Sequence, residues 1–400
     1  MDTHPPNSRC LRPRSNPSPS VILPDELITE ILSWLPVKSL MQMKCVSNSW
    51  NTLISNPKFV KIHLNRSARN PYFSSLAFTP QLDDYSFTHF PVSRLLQNLR
   101  ITIPRNRYYR LNNKDCRKIV GSCNGLICLL GYSYNATISI HYKNVWFRFW
   151  NPATRKISDK LGSMSCSRDC IFVFCYDNST GIYKVVELSS IGNNDPQAKT
   201  KVRVFSLEDN VWRTIQSFPV VPLQLLNSTG FDSVHLNCTV NWLANQSDRW
   251  NHSIREYVIL SFDLVTEKYT QFMPPKGFDR FGLPSICVLK DSLCLYHNFK
   301  NTDLVIWKMI EFGDENSWTQ FHKVSYHNIP KNCKHDGSLL IRLIPLHLSE
   351  NGETMVLADM IQNRVILYNL GTNRAKKTRI NRKICWSSLK DYVESLVSTS

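Results

Sequence analysis

Apolar residues near the start of the chain recur at the three- and four-residue spacing of an α-helix. The pattern begins at Leu23-Pro24, where a proline suits the first turn and Asp25 and Glu26 place negative charge at the helix N-terminus. One apolar stripe follows, formed by Leu27, Ile28, Ile31, Leu32 and Leu35. Pro36 then ends the predicted helix, because the residue before a proline is disfavoured in helical geometry.

Two further short helices are predicted downstream, one over residues 38–45 and one over residues 47–55, with Asn56-Pro57 ending the third. Three such helices in so short a segment have little room for a core of their own. Their apolar surface must therefore be covered by something else, and the pattern allows two explanations. The stripe packs against the rest of this chain, or it binds a partner.

Beyond Asn70 the pattern changes to short β-type runs separated by polar turns. An apolar strand, a polar turn and a second strand recur in units that begin at Val145, Val202, Val258, Leu304 and Arg364. The units are spaced by about 45 to 60 residues, which matches a four-stranded propeller blade. The predicted fold class is α+β and multidomain: a three-helix module, then an all-β propeller-like array of four-stranded units, with a β-sandwich as the alternative.

Composition excludes several classes of protein. Hydrophobic residues make up 42% of the chain and charged residues 20%, as in a folded soluble protein. No apolar run reaches the roughly 20 residues of a membrane-spanning helix, so no membrane partner is expected. Residues 1–20 are rich in proline and arginine without the apolar core of a secretory signal, which predicts a disordered leader and a cytoplasmic and/or nuclear location.

The formal net charge of +17 suits nucleic acid or acidic proteins. The basic residues are spread along the chain, however, and no nucleic-acid-binding motif accompanies them, so nucleic acid is an unlikely partner. The densest basic cluster contains Arg374, Lys376, Lys377, Arg379, Arg382 and Lys383. It is interpreted as a solvated strand edge, with a nuclear address or a phosphate-binding face as alternatives.

No catalytic, metal or cofactor motif emerges from the sequence. There is no phosphate-binding glycine loop, no nucleophile elbow and no pair of histidines on a helix turn. The 13 cysteines are odd in number and lack metal-site spacing, which predicts free thiols and no cofactor. An enzyme is therefore the least supported class.

The helical segment resembles the F-box of plant F-box proteins over the run from Leu23 to Leu40, then Cys45 to Trp50 and Phe59. In that family the helices bind a Skp-type adaptor, which joins the receptor to a cullin. The resemblance implies an F-box over residues 21–66 with seven adaptor-binding or core positions: Leu23, Pro24, Leu35, Pro36, Leu40, Val46 and Trp50. It leaves open which of these contact the partner and which pack internally.

The remainder, residues 71–397, resembles the F-box-associated, kelch-like domain of the same plant proteins. The resemblance rests on the order of several weak motifs: residues 121–128, 150–156, 176–177, 183–186, 240–244, 261–264 and 392–396. It implies a domain that recruits a protein target. Two polar stretches, residues 191–200 and 245–253, are expected to carry target recognition because loops on a rigid scaffold often do.

The function implied is the substrate-recognition subunit of a Skp–cullin–F-box ubiquitin ligase, itself without catalytic residues. The alternatives are a protein-interaction scaffold outside any ligase and, less favoured, a basic nucleic-acid-binding protein. The identity of the target does not follow from the sequence.

Overall fold

The structure is a computed structural model of the 400-residue chain. It describes residues 23–68, 72–79, 84–97, 100–101, 110–111, 115–116, 118–134, 142–191, 199–226, 233–246, 256–278, 284–329, 343–359, 364–380 and 390–399. The segment predicted to be a disordered leader lies outside these residues.

Four helices form the N-terminal module: α1 (Asp25–Leu32), α2 (Val37–Met43), α3 (Asn48–Ser55) and α4 (Pro57–Ser67). The prediction of only three was wrong, because Asn56-Pro57 ends α3 and starts α4 at the same point. The Asn56 side chain accepts a hydrogen bond from the Lys58 amide, and Pro57 occupies the first turn, where its missing N–H is not needed. Ser47 caps α3 in the same way by accepting from Trp50 N.

Antiparallel sheets make up most of the rest of the described chain. Blade 1 contains β5 (Lys118–Cys123), β6 (Leu126–Ser133), β7 (Tyr142–Asn151), β8 (Lys156–Ile157) and β9 (Leu161–Ser167). Blade 2 contains β10 (Ile171–Asp177), β11 (Ile182–Ile191), β12 (Lys199–Ser206) and β13 (Val211–Thr214). Blade 3 contains β14 (Val221–Pro222), β15 (Val234–Leu236), β16 (Thr239–Asn245), β17 (Tyr257–Asp263) and β18 (Tyr269–Phe272).

Two further sheets follow in chain order. Blade 4 contains β19 (Ser285–Leu289), β20 (Ser292–Phe299), β21 (Asp303–Met309) and β22 (Trp318–Ser325). Blade 5 contains β23 (Leu343–Leu348), β24 (Thr354–Asp359), β25 (Arg364–Asn369) and β26 (Arg374–Lys377). Short 3-10 helices lie at Glu315–Ser317 and Tyr326–Asn328.

The last blade joins the two ends of the domain. Blade 6 contains β1 (Tyr72–Thr79), β2 (Asp84–Pro91) and β4 (Arg110–Leu111), with the C-terminal β28 (Lys390–Tyr392) as its innermost strand. Strand β28 pairs antiparallel with β1, so a C-terminal strand completes a sheet that N-terminal strands began. A short parallel pair, β3 (Arg100–Ile101) with β27 (Arg379–Ile380), also joins the two ends.

The sheets follow one another around a ring and pack face to face. Innermost strands of consecutive blades contact each other, for example β28 with β5, β5 with β10, and β19 with β23. Apolar cores lie at the interfaces from blade 1 through blade 5 and between blades 6 and 1; for example, Trp242 and Phe218 lie between blades 2 and 3, and Tyr392 packs between blades 6 and 1. This arrangement confirms the propeller and excludes the two-layer sandwich, because blades 1 to 4 are each packed between two neighbouring sheets.

The sequence repeat corresponds to the outer half of each blade. The five predicted units coincide with the third and fourth strands of blades 1 to 5. Two short helices beyond Asn70 were missed, α5 (Val92–Gln97) and α6 (Leu223–Leu226), each too short to show helical periodicity. The basic residues Arg374, Lys376 and Lys377 lie on β26, the outer edge strand of blade 5, while Arg382 and Lys383 lie outside the described residues. Among the described residues, no helix has the length and apolar character needed to cross a bilayer.

Candidate partner-binding site

The N-terminal helices are docked on blade 1 and do not stand apart from the propeller. Their core is built from Leu32, Val37, Leu40, Ile54 and Phe59, and it also includes Ala153 and Leu396 from the β domain. Ala153 lies in the turn between β7 and β8, and Leu396 follows β28. Packing against the rest of the chain therefore accounts for part of the apolar stripe.

The stripe on α1 divides into two faces. Ile28, Leu32 and Leu35 point into the shared core. Leu27 and Ile31, one turn apart on α1, are 51% and 57% exposed. Leu23 and Trp34 flank the helix and are exposed to a similar extent, and we refer to Leu23, Leu27, Ile31 and Trp34 as the outer row. Exposed large apolar side chains grouped on one element are typical of an interaction surface.

The seven residues predicted from the F-box resemblance occupy three environments. Leu23, Pro24, Pro36 and Val46 are exposed, Leu35 and Trp50 are half-buried, and Leu40 is fully buried. Leu40 is thus a core residue in this structure, whereas the exposed four are free to contact a partner. Leu27, Ile31 and Trp34 were not among the predicted site residues, although the four-residue spacing from Leu23 to Leu27 to Ile31 was a usable signal.

Arg66 of α4 contacts Trp34, the last residue of the outer row. Its guanidinium donates to the Glu30 carboxylate and to the Ser33 hydroxyl, and it lies 4.7 Å from the centre of the Trp34 ring. The hydrogen bond from Arg66 lowers the pKa of the Glu30 carboxyl. A cation stacked on an indole restricts that ring, so Trp34 is presented with less loss of side-chain entropy on binding.

His63 is buried where α4 meets the end of α1. Its Nε2 lies 3.0 Å from the Leu35 carbonyl oxygen. Burial lowers the pKa of His63, although the Leu35 carbonyl and Glu394 act in the opposite direction. The histidine is therefore neutral at physiological pH, and Nε2 carries the proton that reaches Leu35 O.

The C-terminal strap, which we define as residues 393–397, crosses from the propeller axis to the helices. Glu394 accepts a hydrogen bond from the Val37 amide at 3.4 Å, and Leu396 enters the helical core. Gly125 lies directly under the strap with a φ of 80°, and a Cβ there would collide with Val393 O and Ser395 Oγ. The close approach and the left-handed conformation both require glycine at this turn.

Asn151 anchors the strap to blade 1. It is fully buried, and its Oδ1 accepts from Ala153 N at 3.0 Å and Thr154 N at 3.2 Å. Its Nδ2 donates to Ser395 O at 3.0 Å and Val397 O at 2.9 Å. The motif at residues 150–156 is therefore a structural joint between the propeller and the helices.

In blades 1 to 3 the connections at the two ends of the strands differ in length. Short turns such as Asn124-Gly125 and Asn237-Cys238 join the first and second strands on the face that carries the helices. The second and third strands of these blades have their joined ends at the opposite face, and the connections between them, 134–141, 192–198 and 246–256, are longer. The stretches expected to recognise a target, 191–200 and 245–253, overlap two of these connections, and most of their residues lie outside the described part of the chain.

A cavity of about 550 Å³ lies on the axis near the helix-bearing face. Turns and innermost strands of several blades line it, including Asn124, Asn178, Asn237 and Cys238. The Asn178 amide donates to Cys238 Sγ at 3.1 Å, which joins blades 2 and 3. No lysine, arginine, aspartate or glutamate is among the described residues that line the cavity.

Beside the cavity, Asp177 and Lys184 form a buried ion pair at 3.2 Å. Lys184 Nζ also reaches Leu264 O at 2.6 Å and Glu267 at 3.2 Å, so it joins blade 2 to a turn of blade 3. Burial alone would raise the pKa of Asp177, but hydrogen bonds from Ser179, Thr180 and Lys184 hold it well below its usual range. Both residues belong to the motifs 176–177 and 183–186.

Comparison with known proteins agrees with this architecture. Residues 89–399 match the family described as the F-box associated beta propeller domain, and residues 21–62 match the F-box domain. The F-box/kelch-repeat protein At3g23880 of Arabidopsis thaliana is 27% identical over 313 residues, which cover 74% of this chain and 78% of the relative. The F-box protein CPR1 of Arabidopsis thaliana is 25% identical over 401 residues, which cover 94% of this chain and 88% of the relative.

The family match spans most of the propeller and ends at the strap that docks the helices. The second match coincides with the helices that present the outer row. The chain belongs to the family of F-box proteins that carry an F-box associated beta propeller domain.

Proposed function

We propose that this protein is the substrate-recognition subunit of a Skp–cullin–F-box ubiquitin ligase. The F-box binds a Skp-type adaptor and, through it, a cullin, while the propeller recruits a protein target. The chain positions the target within the complex and supplies no catalytic group. We assign this role to the cytoplasm or the nucleus. The observation that carries the proposal is the exposed outer row on an F-box whose other face is already buried against blade 1.

The outer row supports adaptor binding on energetic grounds. Burying one large aliphatic side chain contributes roughly 1.5 to 3 kcal/mol, and a few such anchors dominate most interfaces. Leu27 and Ile31 offer one helix turn of apolar surface, with Trp34 and Val46 nearby in sequence and also exposed. A helix that presents anchors one turn apart is suited to a groove on a partner protein.

Recruitment of the target is assigned to the face opposite the F-box. The described strands that the longer connections 134–141, 192–198 and 246–256 join have those ends at that face, away from the helices. A receptor that holds a target on one face and an adaptor on the other raises the effective concentration of the target's lysines near the ubiquitin carrier.

The first test is adaptor binding by the purified full chain, with the variants Ile31→Ser and Ile310→Ser. The two isoleucines are 57% and 61% exposed, but Ile310 lies on the propeller far along the chain from the F-box. We expect Ile31→Ser to weaken binding of a purified Skp-type adaptor about tenfold or more, the effect of losing one hot-spot side chain. Ile310→Ser should bind as the wild type does.

Equal binding by both variants, or no binding by the folded wild type, would contradict the adaptor proposal. Adaptor binding without recovery of a cullin in the same complex would favour an interaction scaffold outside the ligase. Leu35 is a poorer choice for this test because it packs into the shared core, so its loss also destabilises the F-box.

A further inference from the structure

Asn151 makes more hydrogen bonds than its turn requires. The turn between β7 and β8 uses only Oδ1, which accepts from two backbone amides. The amide group on the other side of the same side chain donates to two carbonyls of the strap. All four bonds are formed in a residue with no exposed surface.

Two other blades show what the turn alone needs. At the matching turn of blade 3, the Asp263 carboxylate accepts from Val265 N at 2.9 Å and Thr266 N at 2.7 Å. At the matching turn of blade 5, Asn369 Oδ1 accepts from Thr372 N at 2.8 Å. A carboxylate therefore caps this turn as well as a carboxamide does, since both offer an oxygen two or three residues before the amides.

Only the carboxamide can also donate. The strap offers carbonyl oxygens of Ser395 and Val397 to blade 1, and both are acceptors. A carboxylate in place of Asn151 would keep the turn but set its second oxygen against two carbonyls, with the charge buried. The donor is thus needed for the strap and not for the blade.

The strap in turn holds the F-box. Glu394 accepts from Val37 N at the start of α2, and Leu396 is buried with Leu32, Leu40 and Phe59. Ala153, within the same turn as Asn151, enters that core from the other side. The F-box thus rests on two backbone segments, and the Asn151 side chain joins them by hydrogen bonds to both.

We propose that Asn151 is a positioning residue that locks the F-box in one orientation on blade 1 by fastening the C-terminal strap to the β7–β8 turn. The lock is a property of the isolated chain and does not depend on the ligase role. If that role holds, a fixed angle between adaptor and target face restricts which lysines of a target reach the ubiquitin carrier.

The test measures the distance between the F-box and the propeller in the full chain. Spin labels are attached through encoded azide-bearing amino acids at Lys61 on α4 and Val211 on β13, both exposed positions, so that no cysteine is involved. Double electron–electron resonance then gives the distribution of distances between the two labels. We expect one narrow distribution in the labelled protein without further substitution, which we call the parent. The distribution should be at least twice as wide in Asn151→Asp and as narrow as the parent's in Asn369→Asp.

Asn369→Asp is the matched control because it makes the same change at a turn that contacts no strap. A second variant, Leu396→Asn, removes the apolar contact of the strap and leaves Asn151 in place, and it should also broaden the distribution. Thermal unfolding should show the propeller transition of Asn151→Asp unchanged within a few degrees, which separates a released F-box from a damaged blade.

An unchanged width in Asn151→Asp would overturn the proposal, whatever Leu396→Asn shows, as would equal broadening in Asn369→Asp. Adaptor binding by Asn151→Asp should match that of the wild type, because the outer row does not touch the strap. Failure of the wild type to bind the adaptor would count against the proposed ligase role and leave the lock untouched.

Discussion

Lys184 shows how much a single buried charge matters in this propeller. Its side chain is 7% exposed and that of Asp177 is 1% exposed, and the pair links two blades through Leu264 and Glu267. Two charges removed from water together are tolerated, whereas one left alone is costly. The motif residues Asp177 and Lys184 are therefore better explained as a structural pair than as a binding site.

Replacement of Lys184 by methionine should lower the free energy of unfolding by about 3 kcal/mol or more, because Asp177 would remain buried without its cation. Lys323→Met is the matched control, since Lys323 pairs with Asp303 at the same 3.2 Å but is 46% exposed. That change should have an effect below about 1 kcal/mol. Urea titration followed by tryptophan fluorescence measures both, and similar losses in the two variants would refute this explanation.

His63 should make the F-box sensitive to acid. Burial holds its folded pKa below the ordinary value of about 6.5, so as the pH falls the unfolded chain takes up a proton before the folded chain does. The free energy of unfolding should therefore decrease as the pH falls from about 7.5 to 5.5.

Hydrogen exchange of the amides in α1 to α4 reports this effect locally. His322 and His347 of the propeller also have lowered pKa values, so acid would destabilise the wild type through them as well. The contribution of His63 is therefore found by comparing the wild type with His63→Gln at each pH. The glutamine variant should lose less protection at pH 5.5 than the wild type does. An identical loss in the two proteins would exclude His63 as the cause.

At the scale of an element, α1 serves two surfaces at once. Leu32 is 3% exposed in the shared core, and Leu27, five positions earlier, is 51% exposed in the outer row. A helix with both faces apolar is unusual on a protein surface unless each face has something to cover it. The docked propeller covers one, and the proposed adaptor covers the other.

Leu32→Ala should destabilise the F-box by about 2 to 5 kcal/mol, the usual effect of a large-to-small change in a packed core. Leu27→Ala should change stability by no more than about 0.5 kcal/mol, because Leu27 lies outside the shared core and is 51% exposed in the isolated chain. Hydrogen exchange in α1 to α3 distinguishes the two. A comparable loss of protection in the two variants would mean that Leu27 and the rest of the outer row are buried within the chain in solution.

At the scale of the whole molecule, the proposed function assigns two tasks to opposite faces of the propeller. The F-box and strap lie on one face, and in blades 1 to 3 the longer connections join strand ends at the other face. A ring of blades that pack on one another keeps this spacing constant. Loops on such a scaffold can vary without disturbing the F-box.

Replacing residues 192–198 by a glycine–serine segment of equal length should therefore leave the unfolding transition and adaptor binding unchanged. The set of proteins ubiquitinated by the reconstituted ligase should shrink or change, as read by mass spectrometry of ubiquitin-modified peptides. The same replacement at residues 207–210, a turn on the F-box face, should leave that set unaltered. An unchanged set in the first variant would place target recognition elsewhere.

The pattern of the sequence was sufficient for the local elements and their order. Helical spacing from Leu27 to Leu35 and the recurring strand–turn–strand units predicted a short helical module followed by four-stranded units, because periodicity and turn residues act over a few positions. The resemblance to plant F-box proteins identified that module as an F-box. Helix α4 was missed, since Asn56-Pro57 signals both the end of one helix and the start of the next.

Only the tertiary structure decided how these elements meet. That β28 joins β1, that Leu396 enters the F-box core, and that Asn151 bonds to Ser395 are contacts between residues hundreds of positions apart. Nor could the seven F-box positions be sorted into exposed and buried from one sequence, because Leu40 and Leu23 look alike until the packing of blade 1 is known. Local patterns depend on neighbouring residues along the chain, whereas burial depends on which distant surface covers a side chain.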